Sequence, residues 1–227
     1  MHQEVKHALV ASKNLPNFQR NGNASMVLNY IVEHMEPELD EWSQLEYANI
    51  VKRVGRNRLY LTHVDPELLK RKAAHIGEGS GIVSSVKAVQ ELEEVEFSKV
   101  LLLDPSAPEP LAPEDAANYE WLLFGGILGD DPPQDRTQYL RKLGYARRHL
   151  GPVQMTTDTA VIVSKEVIEN QIPLDKLAYV DRPEIKLGKK ETAELPFRYL
   201  VNPETGEPQL PEGLIELLKK SNDISLV

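Results

Sequence analysis

The sequence predicts an α/β protein with a mostly parallel sheet flanked by helices. Short apolar runs alternate along the chain with amphipathic segments, which is the pattern of strands joined by crossover helices. No internal repeat and no clear linker interrupts this alternation. The length of 227 residues and the 41% content of hydrophobic residues suit one domain with a substantial core. We therefore expect residues 26–227 to form a single domain.

The N-terminal segment, residues 1–25, differs from the rest of the chain. It is polar and ends in Asn21-Gly22-Asn23. It also lacks the apolar stretch of a secretory signal. We expect it to be a disordered or loosely attached extension.

Apolar runs bounded by glycine, proline or polar residues predict the strands. The run at 121–124 is wholly apolar and indicates a buried strand. In chain order, the predicted strands cover residues 27–32, 59–62, 100–103, 120–124 and 145–150, and residues 177–180 and 197–201 are candidates for the last strands.

The helices are predicted from apolar spacing and from capping signals. Residues 42–54 are apolar on one face, acids precede them, and Gly55 is placed to end the helix. Thr156 or Thr157 is a suitable N-cap for the apolar helix that follows. In chain order, we expect helices over residues 42–54, from 65 onward, 84–92, 138–142, from 156 or 157 to 168, and 212–220.

Composition limits the classes of function. The chain contains no cysteine, which excludes disulfides, thiolate zinc sites and a cysteine nucleophile, and makes the cytoplasm or nucleus the default compartment. We predict the cytoplasm. No apolar run approaches the ~20 residues that span a bilayer. The histidines are scattered, so we expect no metal site, and the net charge of −9 disfavours nucleic acid as a partner.

One stretch, residues 124–137, has the pattern of a ligand site. A buried strand runs into Gly125, Gly126 and Gly129, then into Asp130 and Asp131, and two prolines follow. Strand, glycine loop and acids are typical of a site at the carboxyl end of a parallel strand. The spacing matches neither a dinucleotide fingerprint nor a phosphate loop. An ordinary tight turn between strand and helix is the alternative.

Several other strand ends are expected to meet this loop. They are the ends of the strands at 100–103 and 145–150, together with the helix start at 155–158. A pocket built this way offers backbone donors and acceptors and small residues, which suits an adenosine-type ligand. Residues 100–135 also hold eight acids and no lysine or arginine. A basic or neutral partner is therefore favoured, although a solvated acidic surface is the alternative.

These motifs resemble the fungal SPOUT-type protein arginine methyltransferases. The resemblance rests on Phe124 to Asp130 with Asp135-Arg136-Thr137, on residues 154–160 (Gln-Met-Thr-Thr-Asp-Thr-Ala), and on Pro196-Phe197-Arg198-Tyr199. Glu33-His34-Met35-Glu36 and Pro211-Glu212-Gly213 fit the same family. The resemblance runs from Tyr30 to the C-terminal helix, but it is poor over residues 63–94 and absent over 1–25.

The resemblance implies a C-terminal trefoil knot that binds S-adenosylmethionine. It implies transfer of a methyl group to an arginine of a small-subunit ribosomal protein. The implied cofactor-binding residues are Leu103, Asp104, Gly125, Gly126, Gly129, Arg148, Leu150, Met155, Thr156 and Thr157. The acceptor would lie near Asp130 and Glu33 as catalytic acids, with Glu36, Asp131 and Asp135 as further substrate-binding residues.

An arginine acceptor agrees with the acidic loop. A guanidinium stays protonated up to a pKa above ~12, so carboxylates must bind it, orient one nitrogen and accept its proton. Asp130 or Glu33 is our candidate for this acid. The alternative role of Asp130 is to cap the next helix, and the alternative role of Glu33 is to pair with a surface lysine. Asp158 is expected to serve the helix start, and its alternative is the catalytic aspartate that some SPOUT enzymes place there.

Two other functions stay open at this point. A SPOUT-type RNA methyltransferase needs a basic surface, for which Arg136, Arg141, Lys142, Arg147 and Arg148 are the candidates. A non-catalytic module that binds the nucleoside cofactor or docks on ribosomal assemblies is the other. The protein is expected to be a monomer or a homodimer without membrane contact.

Overall fold

The computed structural model describes residues 28–36, 38–72, 75–76, 79–126, 137–188 and 191–225. The predicted extension at 1–25 lies outside these residues. The centre of the fold is a six-stranded sheet, in which every neighbouring pair is parallel and the strand order is β3-β2-β1-β5-β4-β6. Its strands are β1 (Asn29–His34), β2 (Leu59–Thr62), β3 (Val83–Ser84), β4 (Val100–Leu103), β5 (Trp121–Gly126) and β6 (Ala146–Arg148). The predicted mostly parallel sheet is confirmed.

The central strands are apolar because both faces of the sheet are covered. Leu101 and Leu122 pack into one core with the helices on their side, while Leu102 and Leu123 pack into a second core on the opposite face. All four side chains are buried. A parallel strand that is buried on both faces needs apolar residues at every position, not at alternate ones.

Among the described residues, five α-helices flank the sheet and the C-terminal strands. They are α1 (Glu41–Val54), α2 (Pro66–Lys72), α3 (Gln138–Lys142), α4 (Thr157–Ile168) and α5 (Leu214–Ser225). Asp40 caps α1 by accepting a hydrogen bond from the Ser43 N–H at 2.8 Å, and Gly55 ends it at a φ of 97°. Thr156 is the N-cap residue of α4. None of the described helices combines the length and the apolarity that crossing a bilayer requires.

The last predicted strands do not join the parallel sheet. They form one antiparallel pair, β7 (Tyr179–Asp181) with β10 (Arg198–Leu200). The chain between them contributes a second antiparallel pair, β8 (Glu184–Lys186) with β9 (Thr192–Glu194). Phe197 and Tyr199 share a small core with Leu214 of α5 and Leu45 of α1. The C-terminal segment therefore packs back against the first helix.

The helix predicted over 84–92 is wrong. The chain there forms the end of β3 and a 3-10 turn at Val89–Glu91. The Ser85 N–H donates to the Leu61 carbonyl, and the Val89 N–H donates to the Glu33 carboxylate at 3.0 Å. Hydrogen bonds to β1 and β2 thus replace the bonds that a local helix would make. The first strand is also displaced, from the predicted 27–32 to 29–34.

Candidate functional site

A cavity of about 470 Å³ lies at the carboxyl edge of β4 and β5. It falls in the size range of small-molecule sites. The three groups of strand ends and the helix start that the sequence singled out meet here. The lining residues are Leu103 to Ser106, Phe124, Gly125, Thr137, Arg141, Leu150 to Met155, Thr157 and Ala160.

The predicted cofactor-binding residues that the structure describes divide into two sets. Six of them line the cavity: Leu103, Asp104, Gly125, Leu150, Met155 and Thr157. Three described ones do not line it: Gly126, Arg148 and Thr156. Gly129, Asp130, Asp131 and Asp135 lie outside the described residues, so their roles stay predictions. Glu36 is half-buried two residues after β1 ends.

Asp104 is a fixed anion in the cavity wall. Its carboxylate accepts two hydrogen bonds from Arg141, at 2.7 and 2.9 Å, and one from Arg147 at 2.8 Å. The Ser106 N–H adds a bond of 3.0 Å. Burial by itself would raise the pKa of Asp104, but these hydrogen bonds outweigh it and hold the pKa well below its usual range. Asp104 is therefore ionised at neutral pH, and it holds the side chains of Arg141 and Arg147 in place at the cavity wall.

Arg148 does not line the cavity. Its guanidinium contacts Asp115 at 3.1 Å and Glu109 at 3.1 Å, both from the segment between β4 and β5. The backbone carbonyl of Arg148 instead accepts from the Asp104 N–H at 2.9 Å. Arg148 thus contributes a backbone hydrogen bond next to the cavity, and its side chain forms ion pairs with Asp115 and Glu109.

Gly126 is required by the packing of the sheet. A Cβ at this position would lie 2.9 Å from the Glu33 carbonyl oxygen and 3.1 Å from the Val32 Cγ1 atom. Real Cβ contacts are essentially never shorter than 3.0 Å. Glycine is therefore needed where β5 passes β1, whether or not a ligand approaches the same backbone.

Glu33 is fully buried at the carboxyl end of β1, opposite Gly125 of β5. Its carboxylate accepts from the Thr62 hydroxyl, from the Val89 N–H and from His63 Nε2, the last at 2.8 Å. The His63 side chain is 44% exposed and covers the carboxylate from the solvent side. Glu33 sits one strand away from the cavity lining and is already held by three donors.

His63 is a residue of this edge that the sequence did not single out. Its φ is 57°, a left-handed conformation that is uncommon for residues other than glycine. Nothing in the local sequence marks that conformation, because it depends on the contact with Glu33 and on a backbone bond to the Lys87 carbonyl at 3.2 Å.

Asp158 lies in the first turn of α4 and is buried. It accepts from the Thr156 hydroxyl at 2.6 Å and from the Asn49 amide of α1 at 2.6 Å. It does not line the cavity. Its carboxylate serves the helix start and the contact between α4 and α1. Within the described residues, no group of three histidines, aspartates or glutamates is arranged to hold a metal ion.

The fold defines the class of protein to which the chain belongs. The class is the SPOUT fold: Trm10 from Thermococcus kodakaraensis superposes with a TM-score of 0.50 over 65% of this chain and 95% of that chain. At 20% identity this likeness concerns the fold alone.

The family follows from closer relatives. Residues 29–225 match the family described as protein arginine N-methyltransferase SFM1-like. The chain is 39% identical over 210 residues to protein arginine N-methyltransferase SFM1 of Saccharomyces cerevisiae, which covers 88% of this chain and 98% of the yeast protein. A crystal structure of yeast SFM1 complexed with SAM superposes with a TM-score of 0.75 at 36% identity, over 86% of this chain and 92% of that chain. The chain belongs to the SFM1-like family.

Proposed function

We propose that this protein is an S-adenosylmethionine-dependent methyltransferase that modifies arginine side chains of a protein. The observation that carries the proposal is the cavity of about 470 Å³ at the carboxyl edge of β4 and β5, in a chain of the SFM1-like family. The name of the yeast relative supplies the reaction class, and its complex with SAM supplies the methyl donor.

The residues that line the cavity fit this donor. Leu150 and Met155 offer apolar contact for a nucleoside, while Gly125 leaves the backbone open to close approach. Thr157 and the first turn of α4 add polar groups on one side. The donor supplies a methyl group on a positively charged sulfur. Asp104 in the wall is bound by Arg141 and Arg147, so it fixes the position of these side chains and leaves no unpaired negative charge facing the donor.

The acceptor chemistry assigns roles to the acids. Transfer forms a bond between the methyl carbon and an arginine nitrogen as the bond to sulfur breaks, and the nitrogen gives up one proton. We propose Asp130 or Glu33 as the acid that orients the nitrogen and takes this proton, with Glu36, Asp131 and Asp135 binding the basic segment. Glu33 is fully buried, so the acceptor reaches its carboxylate only when the His63 side chain moves aside and its hydrogen bond to Glu33 breaks.

A protein acceptor is favoured over RNA by the state of the arginines. Arg141 and Arg147 both bind Asp104, and Arg148 binds Asp115 and Glu109. These are three of the five candidates for a basic surface, and ion pairs with neighbouring acids occupy them; Arg136, a fourth, lies outside the described residues. RNA binding depends on basic groups that are available to phosphates.

Finer features of the proposal come from the family resemblance. We propose that the acceptor is a small-subunit ribosomal protein, that the chain works in the cytoplasm as a monomer or homodimer, and that the C-terminal half is tied in a trefoil knot. Residues 26–227 would form the single catalytic domain, with 1–25 as an extension.

The test is methyl transfer from radiolabelled S-adenosylmethionine to ribosomal material, followed by protease or ribonuclease. Label that protease releases, and that hydrolysis recovers as methylarginine, is the expected result. Label released by ribonuclease would support an RNA methyltransferase instead, and donor binding without transfer would support a non-catalytic module. We expect Asp130→Asn to lower kcat about 100-fold or more. Asp175→Asn, a change at an exposed residue of the 3-10 turn Leu174–Lys176, should leave kcat unchanged.

A further inference from the structure

A sealed polar cluster lies behind the wall of the cavity. Its centre is a pair of carboxyl groups, Glu46 on α1 and Asp158 in the first turn of α4, which are 1% and 0% exposed. Neither takes part in the reaction proposed above. Buried acids are rare unless they are paired with cations, so this pair requires an explanation.

The hydrogen bonds of the cluster are unequal. Asp158 receives donors on both oxygens, from Thr156 and Asn49, each at 2.6 Å. Glu46 receives the Trp42 indole N–H on Oε1 at 2.7 Å, while its buried Oε2 atom has no hydrogen-bond partner. An ionised carboxylate with a bare buried oxygen is costly. A proton on that oxygen removes most of the cost, because it neutralises the group.

No compensating cation is present in the described part of the chain. No lysine, arginine or histidine there forms an ion pair with Glu46 or Asp158. Burial and then the charge of Asp158 raise the pKa of Glu46 well above its usual range. Burial likewise raises the pKa of Asp158. Each buried charge disfavours the other, so the pair retains a proton to higher pH than an exposed carboxyl group does.

The other titratable groups around the pair do not change this balance. Tyr47 on α1 and Tyr199 on β10 lie near the pair. Burial and then the charges of Glu46 and Asp40 raise the pKa of Tyr47, and burial and then the charges of Asp158 and Glu46 raise the pKa of Tyr199. His34 contacts the Tyr47 hydroxyl at 2.7 Å, and burial lowers the pKa of His34. Between about pH 7 and 9.5 neither phenol nor His34 changes charge, since all three are displaced away from that window.

The cluster touches the cavity wall from behind. Thr157 lines the cavity, and its side chain lies close enough to the Glu46 carboxyl group to favour its ionised form. Thr156, its neighbour, donates to Asp158. Asp158 therefore holds the turn 155–157, which contributes Met155 and Thr157 to the lining, from its rear side, and Glu46 adjoins the same turn.

We propose that Glu46 and Asp158 are positioning residues that share one proton, and that this protonated pair holds the turn 155–157 in the shape that binds the nucleoside of the methyl donor. The inference rests on the proposed function, since it concerns the same cavity. When the second carboxyl group ionises, repulsion between the two charges displaces the first turn of α4.

The sign of the pH effect follows from the raised pKa of Glu46. Below the usual glutamate pKa, near 4.3, Glu46 is protonated. Because its own pKa is raised above that value, Glu46 stays protonated until the pH reaches the raised pKa. Above that value the proton is lost. Affinity for the donor should therefore be constant at low pH and fall on the alkaline side, by up to about tenfold per pH unit for one proton.

The probe is 5′-methylthioadenosine, because it has no group that titrates between pH 7 and 9.5. Its affinity is measured by calorimetry across that range for the wild type, Glu46→Gln, Asp158→Asn and the control Glu41→Gln, an exposed glutamate at the start of the same helix. We expect affinity to fall with pH in the wild type and in the control. Glu46→Gln should give a flat profile, within about threefold of the wild type at pH 7. Asp158→Asn should bind more weakly at every pH, because asparagine has one acceptor oxygen and its NH2 group cannot accept the second hydrogen bond.

A second measurement needs no variant. Calorimetry of the wild type in two buffers with different ionisation enthalpies should detect proton uptake on binding in the alkaline part of the range. No uptake at any pH from 7 to 9.5, or an identical pH profile for the wild type and Glu46→Gln, would overturn the inference and leave the proposed function intact. A wild type that binds neither the probe nor S-adenosylmethionine at any pH would overturn both.

Discussion

Gly126→Ala places a methyl group between two central strands of the sheet. The new Cβ would lie 2.9 Å from the Glu33 carbonyl oxygen, 3.1 Å from Val32 Cγ1 and 3.2 Å from His34 Cα. Two of these neighbours are backbone atoms, which move only if β1 and β5 separate. Overpacking of this kind costs about 1–3 kcal/mol. Alanine also stabilises the folded state by about 0.4–1 kcal/mol through a less flexible unfolded chain.

The net expectation is a loss of about 1–2 kcal/mol in the free energy of unfolding, since the packing cost exceeds the entropic gain. For a domain of this size, that corresponds to a fall in Tm of about 2–8 °C. Urea unfolding followed by circular dichroism measures the loss. Gly188→Ala is the matched control, because its Cβ would meet only Glu191 atoms at 3.7 Å or more. That variant should be neutral or slightly stabilised.

Two results would count against this reasoning. If Gly126→Ala is as stable as the wild type, the sheet tolerates the methyl group and the close approach is not limiting. If stability is unchanged but donor binding is lost, Gly126 acts through the ligand, as the family resemblance implied, and not through strand packing.

Two further predictions concern the cavity wall and the core. Asp104→Asn should cost about 3 kcal/mol, because it leaves Arg141 and Arg147 facing a neutral group. The depressed pKa of Asp104 stabilises the folded wild type above about pH 3.9, and this stabilisation is lost as the pH falls further. Urea unfolding measured from pH 7 to 2 should show a smaller loss of stability in Asp104→Asn. The control Asp175→Asn should behave as the wild type. Leu123→Ala, in the middle of β5, should cost about 2–5 kcal/mol in the same assay, and a loss below about 1 kcal/mol would contradict close packing there.

Much of the fold could be predicted where local chemistry decides it. The bounds of β2, β4 and α3 match the predictions because each is a short apolar or periodic run between strong stop signals. Asp40 and Gly55 fix α1 by capping, a purely local effect. The rule that carboxyl ends of parallel strands share one edge was enough to predict the cavity.

The remainder depends on contacts between distant segments. The segment 84–92 has helical spacing, but hydrogen bonds to Leu61 and Glu33 hold it in another shape. The direction of Arg148 depends on Asp115, a residue placed by a 3-10 turn that the sequence did not reveal. The same holds for the carboxyl pair behind the wall, since Glu46 and Asp158 meet only when α1 packs on α4. No local pattern carries that information.

The position of β1 in the sheet has a consequence for folding in the cell. This strand lies at the centre and pairs with β5, which comes much later in the chain. While the ribosome is still synthesising the intervening segment, one edge of β1 has no partner, and it presents Tyr30, Ile31 and Val32. Such distant pairing slows folding and leaves an open edge that attracts other chains. Newly made protein should therefore depend on chaperones until β5 has emerged.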